Sequence, residues 1–335
     1  MIQQIMSDLY KLEIPLPGNP LKTLNSYIIV GESRSLIIDT GFDMPECLDA
    51  LLSGINELGL DRTKLDVLST HFHADHTGLI SQIISDTSEV YMSGVDSEMF
   101  KEVSNEDSKY WDVLIEKYLV EGYPSYRLVE VMRVHPAKIF MGDSKFDITT
   151  LEDGDELSYG NFNFNVIITP GHTPGHLCLY EPKHKILFTG DHLLFDISPN
   201  ITWWYNVEDS LNSYLTSLNK ISLLDVETVL PGHRGNQGVL RDRALDLRVH
   251  HNERLYEILE IVSEEPCLTS YEIASKLTWK TNVEWAELPP MQRWFAVGET
   301  ISHVEYLTNL GKLEKYKSRG MNNYFVQRRI MLSGG

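Results

Sequence analysis

The sequence predicts an α/β protein in which two β-rich halves pack as sheets with helices outside, followed by a smaller helical domain. Three observations carry this. Short runs rich in β-branched and aromatic residues, broken by turn residues, fill residues 24–92 and again 138–231. Helix-spaced apolar segments follow each half. Beyond residue 240 both the charge and the periodicity change.

Within the first half, residues 24–39 form two strand-like runs around Gly31-Glu32-Ser33, the pattern of a hairpin. Residues 45–60 follow as a helix with Gly59 near its end, then a strand at 65–70 that leads directly into a histidine-rich segment. A helix beginning near Thr77, a strand at 88–92 and a mostly helical stretch at 96–133 complete that half, with Trp111, Leu114 and Tyr118 on one helical face. In the second half the strand-like segments are 138–140, 146–151, 156–160, 162–170, 176–182 and 185–191. A Pro- and Trp-rich loop, a helix at 207–221 and a last strand at 228–233 close it. Residues 241–264 read as a helix, 267–277 as another with Thr269 or Ser270 as N-cap, and 299–327 as a helix, Gly311 and two strands joined at Arg319-Gly320. Helix, helix and hairpin in that order resemble a winged helix. The domains are therefore placed at 1–238, with a helical cap insertion at about 96–133, and at 239–335.

Length and composition agree. The 335 residues exceed a single domain of roughly 100 to 200, and a 42% hydrophobic, 23% charged chain is an ordinary globular one. No segment approaches the roughly 18 consecutive apolar residues of a membrane span, and the first residues lack an export pattern, so a cytoplasmic location without a membrane partner is expected. The formal charge of −19 is uneven: residues 1–240 hold 16 Lys+Arg against 35 Asp+Glu, residues 241–335 hold 13 against 13. Such an acidic first domain repels phosphate backbones, which favours a small-molecule substrate over nucleic acid. Cys47, Cys178 and Cys267 are odd in number and far apart, so they read as small buried hydrophobes rather than a disulfide or metal set.

Chemistry concentrates in four short motifs that come after predicted strands: His71-Phe72-His73-Ala74-Asp75-His76, Thr169-Pro170-Gly171-His172, Gly190-Asp191 and Pro231-Gly232-His233. Residues two apart in an extended chain point the same way, so His71 and His73 can converge on one ion while Asp75 and His76, past the turn, face another. Imidazole and carboxylate donors suit zinc, iron or manganese. Pro-Gly before His172 and His233 makes tight turns in which glycine permits close backbone approach.

These motifs, in this order, resemble the metallo-β-lactamase superfamily over roughly residues 8–235. The resemblance implies a four-layer αββα sandwich with two divalent ions, zinc foremost with iron or manganese as alternatives, in a cleft at one edge of the sheets. It implies His71, His73 and His172 on one ion, Asp75, His76 and His233 on the other, and Asp191 bridging them. It further implies a metal-bridging hydroxide that attacks an ester, thioester or lactone, with Asp75 orienting it and relaying a proton. Asp39 falls where the family places an aspartate near the cleft, and His176 and His192 read as supporting rather than ligating residues. His135, His184, His250, His251 and His303 read as surface or core residues.

Among branches of the family, Asp191 argues against true zinc β-lactamases, His73 against flavodiiron proteins and Leu194 against lactonases with a tyrosine at that place. The segment after His233 departs from glyoxalase II, although a glyoxalase-II-like centre remains the expectation. The alternatives are an endoribonuclease or phosphodiesterase of the β-lactamase-like type and a nucleic-acid-binding regulatory module. For the latter, Lys312, Lys315, Lys317, Arg319, Arg328 and Arg329 make a basic wing that Glu305 and Glu314 dilute. Trp203, Trp204 and Tyr205 are expected either in an apolar substrate cleft or in packing. A homodimer through the helical C-terminal part is the expected assembly.

Overall fold

The computed structural model describes residues 2–105 and 107–327. They form two compact units, one comprising the chain up to Lys109, His135–Pro199 and Ser213–Asp246, the other Tyr110–Val134, Asn200–Asn212 and the chain from Leu247 onward. The segment expected as a cap is thus divided at residue 109.

The first unit holds two sheets. Seven strands lie side by side in chain order: β1 (Ile2–Met6), β2 (Leu9–Pro15), β3 (Thr23–Ile29), β4 (Ser35–Ile38), β5 (Leu65–Leu68), β6 (Val90–Ser93) and β7 (Thr149–Leu151). The first four pair antiparallel, and β4 to β7 run parallel. The second sheet contains β8 (Glu156–Tyr159), β9 (Phe162–Ile168), β10 (Leu177–Glu181), β11 (Ile186–Gly190) and β12 (Thr228–Pro231), antiparallel except for the parallel β11–β12 pair.

Alternation decides which face each side chain takes. Leu9, Tyr27, Ile29, Leu36, Ile38 and Leu68 of the first sheet meet Phe164, Val166, Leu179, Phe188 and Leu230 of the second in one buried core. Leu12, of opposite parity to Leu9, faces the helix α1 (Pro45–Glu57), whose Gly54 lies against it. β3 is buried from Leu24 to Ile29, with the polar Asn25 and Ser26 inside it satisfied by hydrogen bonds to backbone carbonyls. The fold is therefore the mixed α/β arrangement of two packed sheets with helices that the sequence predicts.

Local differences have local causes. The edge strand β1 and its neighbour β2 come before the first strand expected from the sequence; in β1, Gln3 and Gln4 break the apolar run. Residues 138–140, expected as a strand, are the end and C-cap of a short helix at Pro136–Ile139. Pro136 occupies its first turn, and the His135 ring accepts a hydrogen bond from the Ala137 amide. Cys47 and Cys178 are buried as expected, but Cys267 is exposed and sits at φ 71°.

In the second unit, helices at Tyr110–Val120 and Ser125–Val134 accompany a long helix at Leu240–Glu264 that enters from the first unit along the chain. A helix at Ser270–Lys276, one at Pro290–Asn309 and the hairpin β13 (Leu313–Ser318) with β14 (Met321–Val326) come next. Thr269 is the N-cap, closed by a capping box with Glu272. The 290–309 helix starts nine residues earlier than the sequence suggests, with Pro290 in its first turn. Glu121 is fully buried yet satisfied by Ser270, Asn322 and Tyr324, which ties the helical segment 110–134 to the hairpin. Arg328 and Arg329 of the expected basic wing lie outside the described residues. Among the described residues no helix is long and apolar enough to cross a membrane.

Candidate metal centre

The four motifs occupy the C-terminal ends of their strands. β5 ends in the turn that carries His71 and His73, and Asp75 and His76 lie on the helical turn Ala74–Thr77 just beyond it. β9 leads to His172, β11 to Asp191 and β12 to His233. A backbone that leaves a strand end exposes its side chains to a shared space, and here that space collects all seven expected residues.

Ring nitrogens and carboxylate oxygens of His71, His73 and His172, of His71, His76 and Asp191, and of Asp75, His76 and His233 each lie within 4.8 Å of one another. His73 Nδ1 is 3.0 Å from His71 Nε2 and 3.1 Å from His172 Nε2. Asp191 stands between the groups: one oxygen is 3.8 Å from His76 Nε2, the other 3.8 Å from His172 Nε2 and 3.5 Å from His233 Nε2. Asp75 is 3.3 Å from His233 Nε2 and 3.9 Å from His76 Nε2.

The donor set fits a cation. His76 Nε2, His233 Nε2 and Asp191 Oδ1 are buried and make no hydrogen bond. Buried polar atoms left that way are costly unless something else takes their lone pairs. The outer nitrogens face polar partners: His76 Nδ1 lies 2.8 Å from Asp39 Oδ2, and His233 Nδ1 donates to the Thr23 carbonyl at 2.7 Å. A proton on Nδ1 directs the Nε2 lone pair inward, the arrangement typical of metal-binding imidazoles. Imidazole and carboxylate donors of this kind are those that divalent ions accept.

Electrostatics separates the two halves of the cluster. Burial, and then the neighbouring imidazoles, hold His71 and His73 well below the usual histidine range, so both are neutral. Burial opposes charge on His76 as well, but Asp39, Asp75 and Asp191 outweigh it and push the ring up to about 10. His233 is raised against the same burial by Asp191 and Asp75. Asp75, whose burial works the other way, is kept well below the carboxylate range by His76 and His233. A field that retains a proton on His76 so strongly also favours a cation in the proton's place.

Supporting residues are partly those expected. Asp39, at φ 62°, receives hydrogen bonds from the Thr70 amide and hydroxyl besides its contact with His76. The Asp191 amide donates to His176 Nε2 at 3.2 Å, so His176 holds the aspartate's backbone. His192 accepts a hydrogen bond from Tyr214 through its carbonyl. Gly232 is tightly placed: a Cβ there would lie 2.6 Å from Asp191 Oδ1. Sequence reading misses Asn25 and Tyr27, which bind the Pro231 carbonyl and anchor the His233 turn on β3, and it misses Asp96. Nothing short-range distinguishes such residues, since their partners lie from 24 to 206 positions away along the chain. Trp203, Trp204 and Tyr205 belong to the second unit, where Trp204 is buried and the Lys117 ammonium lies 5.0 Å from the Trp203 ring centre.

A two-sheet α/β fold with this cluster at its strand ends defines a metallo-β-lactamase-type protein, and the profile of the metallo-beta-lactamase superfamily matches residues 22–233. The chain belongs to that superfamily and is a hydrolase of its fold, a fold that implies divalent metal binding. Human acyl-coenzyme A thioesterase MBLAC2 is 30% identical over 232 residues, spanning 65% of this chain and 75% of that protein. The beta-lactamase-like protein 2 homolog of Caenorhabditis elegans is 24% identical over 261 residues, 77% and 71% of the two chains. A metallo-beta-lactamase family protein of Thermus thermophilus superposes with a TM-score of 0.78 at 28% identity, over 97% of this chain and 100% of that one. A beta-lactamase domain protein from Burkholderia ambifaria gives a TM-score of 0.82 at 22% identity, covering 97% and 93%.

Proposed function

We propose that this protein hydrolyses a thioester or a related ester or lactone, with two divalent ions, zinc foremost, at a glyoxalase-II-like centre. His71, His73 and His172 would hold one ion, Asp75, His76 and His233 the other, with Asp191 shared. The observation that carries this is the set of buried, unbonded donors, His76 Nε2, His233 Nε2 and Asp191 Oδ1, turned toward one another. The named thioesterase among the relatives supports the thioester as substrate class.

Bound ions supply Lewis acidity toward the carbonyl oxygen and acidify water to near neutrality. The chain's own residues do the rest. Asp39 and the Thr23 carbonyl fix the tautomers of His76 and His233. Asp75, held strongly acidic, accepts a hydrogen bond from the attacking water and keeps a proton only briefly. It is therefore suited to relay that proton to the leaving sulfur or oxygen rather than to store it. Attack of water oxygen on the carbonyl carbon, cleavage of the carbon–sulfur or carbon–oxygen bond and protonation of the leaving group then balance as acid plus thiol or alcohol.

We further read the helices at 270–276 and 290–309 with the β13–β14 hairpin as a winged helix that packs rather than binds nucleic acid, in a cytoplasmic protein that forms a homodimer. A panel of thioesters, lactones, bis-p-nitrophenyl phosphate and single-stranded RNA, assayed on metal-reconstituted protein, tests the substrate class. Thioester turnover well above phosphodiester turnover is expected. The reverse order would make the protein a nuclease or phosphodiesterase.

A further inference from the structure

Asp96 lies in the first turn of the helix Gly94–Ser104 and is fully buried. It belongs to none of the four motifs. Its Oδ2 accepts hydrogen bonds from the Phe72 amide at 3.2 Å and the Thr173 hydroxyl at 2.6 Å, and its Oδ1 accepts one from the Gly175 amide at 2.6 Å. Phe72 stands between His71 and His73, and Thr173 is the residue after His172. One carboxylate therefore joins the two loops that bring those three imidazoles together.

A second observation points the same way. A Cβ on Gly175 would lie 2.6 Å from the Asp96 amide nitrogen and 2.8 Å from its Oδ1. The second glycine of the Thr-Pro-Gly-His-Thr-Pro-Gly-His segment is thus the residue that lets the His172 loop close on Asp96. The other triad is braced elsewhere, through Asp39 on His76 and through β3 on the His233 turn.

We propose that Asp96 is a positioning residue that sets the spacing of His71 and His73 against His172, and so controls the affinity of that one ion site. The inference rests on the two-ion reading above. Asp96 bonds the loops of the first triad, whereas Asp39 reaches His76 of the second and, through Thr70, the strand end that carries His71. Removing Asp96 loosens the first site before the other.

Cobalt(II) titration of the metal-free protein against a chromophoric chelator, followed through the ligand-field bands, resolves the two dissociation constants. Asp96→Asn puts an NH2 donor in place of one of the two accepting oxygens. It is expected to weaken one constant by about 10- to 100-fold and leave the other within about twofold. Thr173→Val removes only one hydrogen bond, preserves shape and guards against misfolding of the first variant; a smaller loss at the same constant is expected. Asp39→Asn, which touches His76 and, through Thr70, His71, should weaken both constants. If Thr173→Val and a folded Asp96→Asn both keep the two wild-type constants, Asp96 is not a positioning residue. Wild-type protein that takes up no cobalt would instead overturn the two-ion reading itself.

Discussion

Each unit of this chain contains a buried set of histidines, and the two sets differ in where their ring nitrogens point. In the first unit the outer nitrogens of His76 and His233 are engaged by Asp39 and the Thr23 carbonyl, and the inner ones converge with Asp75 and Asp191. In the second, His303 Nδ1 donates to the Glu299 carbonyl at 2.7 Å and its Nε2 lies 3.0 Å from His251 Nδ1. One proton per ring serves both of those bonds, and among the described residues the pair joins no group of three side chains close enough to hold an ion. Burial holds both rings neutral, His303 at about 3 and His251 well below the usual range. Burial of imidazole alone is therefore no mark of a metal site. Convergence of spare lone pairs upon acids is.

The largest effect that would break this comparison is at Asp191. Asp191→Ala removes the oxygen pair that lies within 3.8 Å of His76, His172 and His233 together, so the protein should lose at least one of two ions and hydrolytic kcat/KM should fall by roughly a thousandfold, several kcal/mol of transition-state stabilisation. Metal analysis and steady-state kinetics measure both. Full metal content with full activity would remove the centre from the proposed chemistry.

Next is Gly232→Ala, which places a methyl against Asp191 Oδ1 and 3.1 Å from His76 Cε1. Backbone and ligand must then move apart. Activity should drop by about 10- to 100-fold with little change in melting temperature, because a misplacement of the order of an ångström costs that much. Equal losses of activity and stability would show that the turn matters to folding rather than to the site.

These two substitutions also show what the sequence can and cannot reveal. The seven clustered residues are legible because strand periodicity and motif spacing are local, and the end of a strand sets the direction of the next few residues. Both sheets are legible in outline for the same reason, whereas β1 is hidden by its glutamines and the 136–139 helix by a proline that reads as a break. Asp96, Asn25 and Glu121 are not legible, because each acts on residues brought near only by the finished fold. The sequence likewise puts His251 and His303 at surface or core without distinction, since 52 residues of chain separate the two rings that bond each other.

In the second unit the comparison predicts stability effects without metal effects. His303→Ala removes its bonds to His251 Nδ1 and the Glu299 carbonyl and opens a cavity, which should cost about 1 to 3 kcal/mol. Ion stoichiometry should stay at the wild-type value. A lost ion would mean that the second cluster is no mere packing element.

The smallest effect separates the pair from the acid beside it. Glu299 is buried, and burial pushes its carboxyl up to about 7 from an ordinary 4.5, although Arg254 pulls the other way. Its folded form thus keeps a proton that the unfolded chain releases, so this group's contribution to stability is whole below about pH 4.5 and is lost as pH rises through about 7. His303 runs in the opposite sense: held near 3 against 6.5, it contributes fully above about pH 6.5 and loses that contribution as pH falls toward 3. The two slopes oppose each other between about pH 5 and 6.5, so Glu299 offsets one buried histidine's share of the rise in stability there. Glu299→Gln deletes one of them. Chemical denaturation across that interval should then show stability rising more steeply with pH than in the wild type, by at most about 1.4 kcal/mol per unit. Curves for wild type and variant that stay parallel would mean that Glu299 is already ionised in the folded protein, with Arg254 as its effective counter-ion.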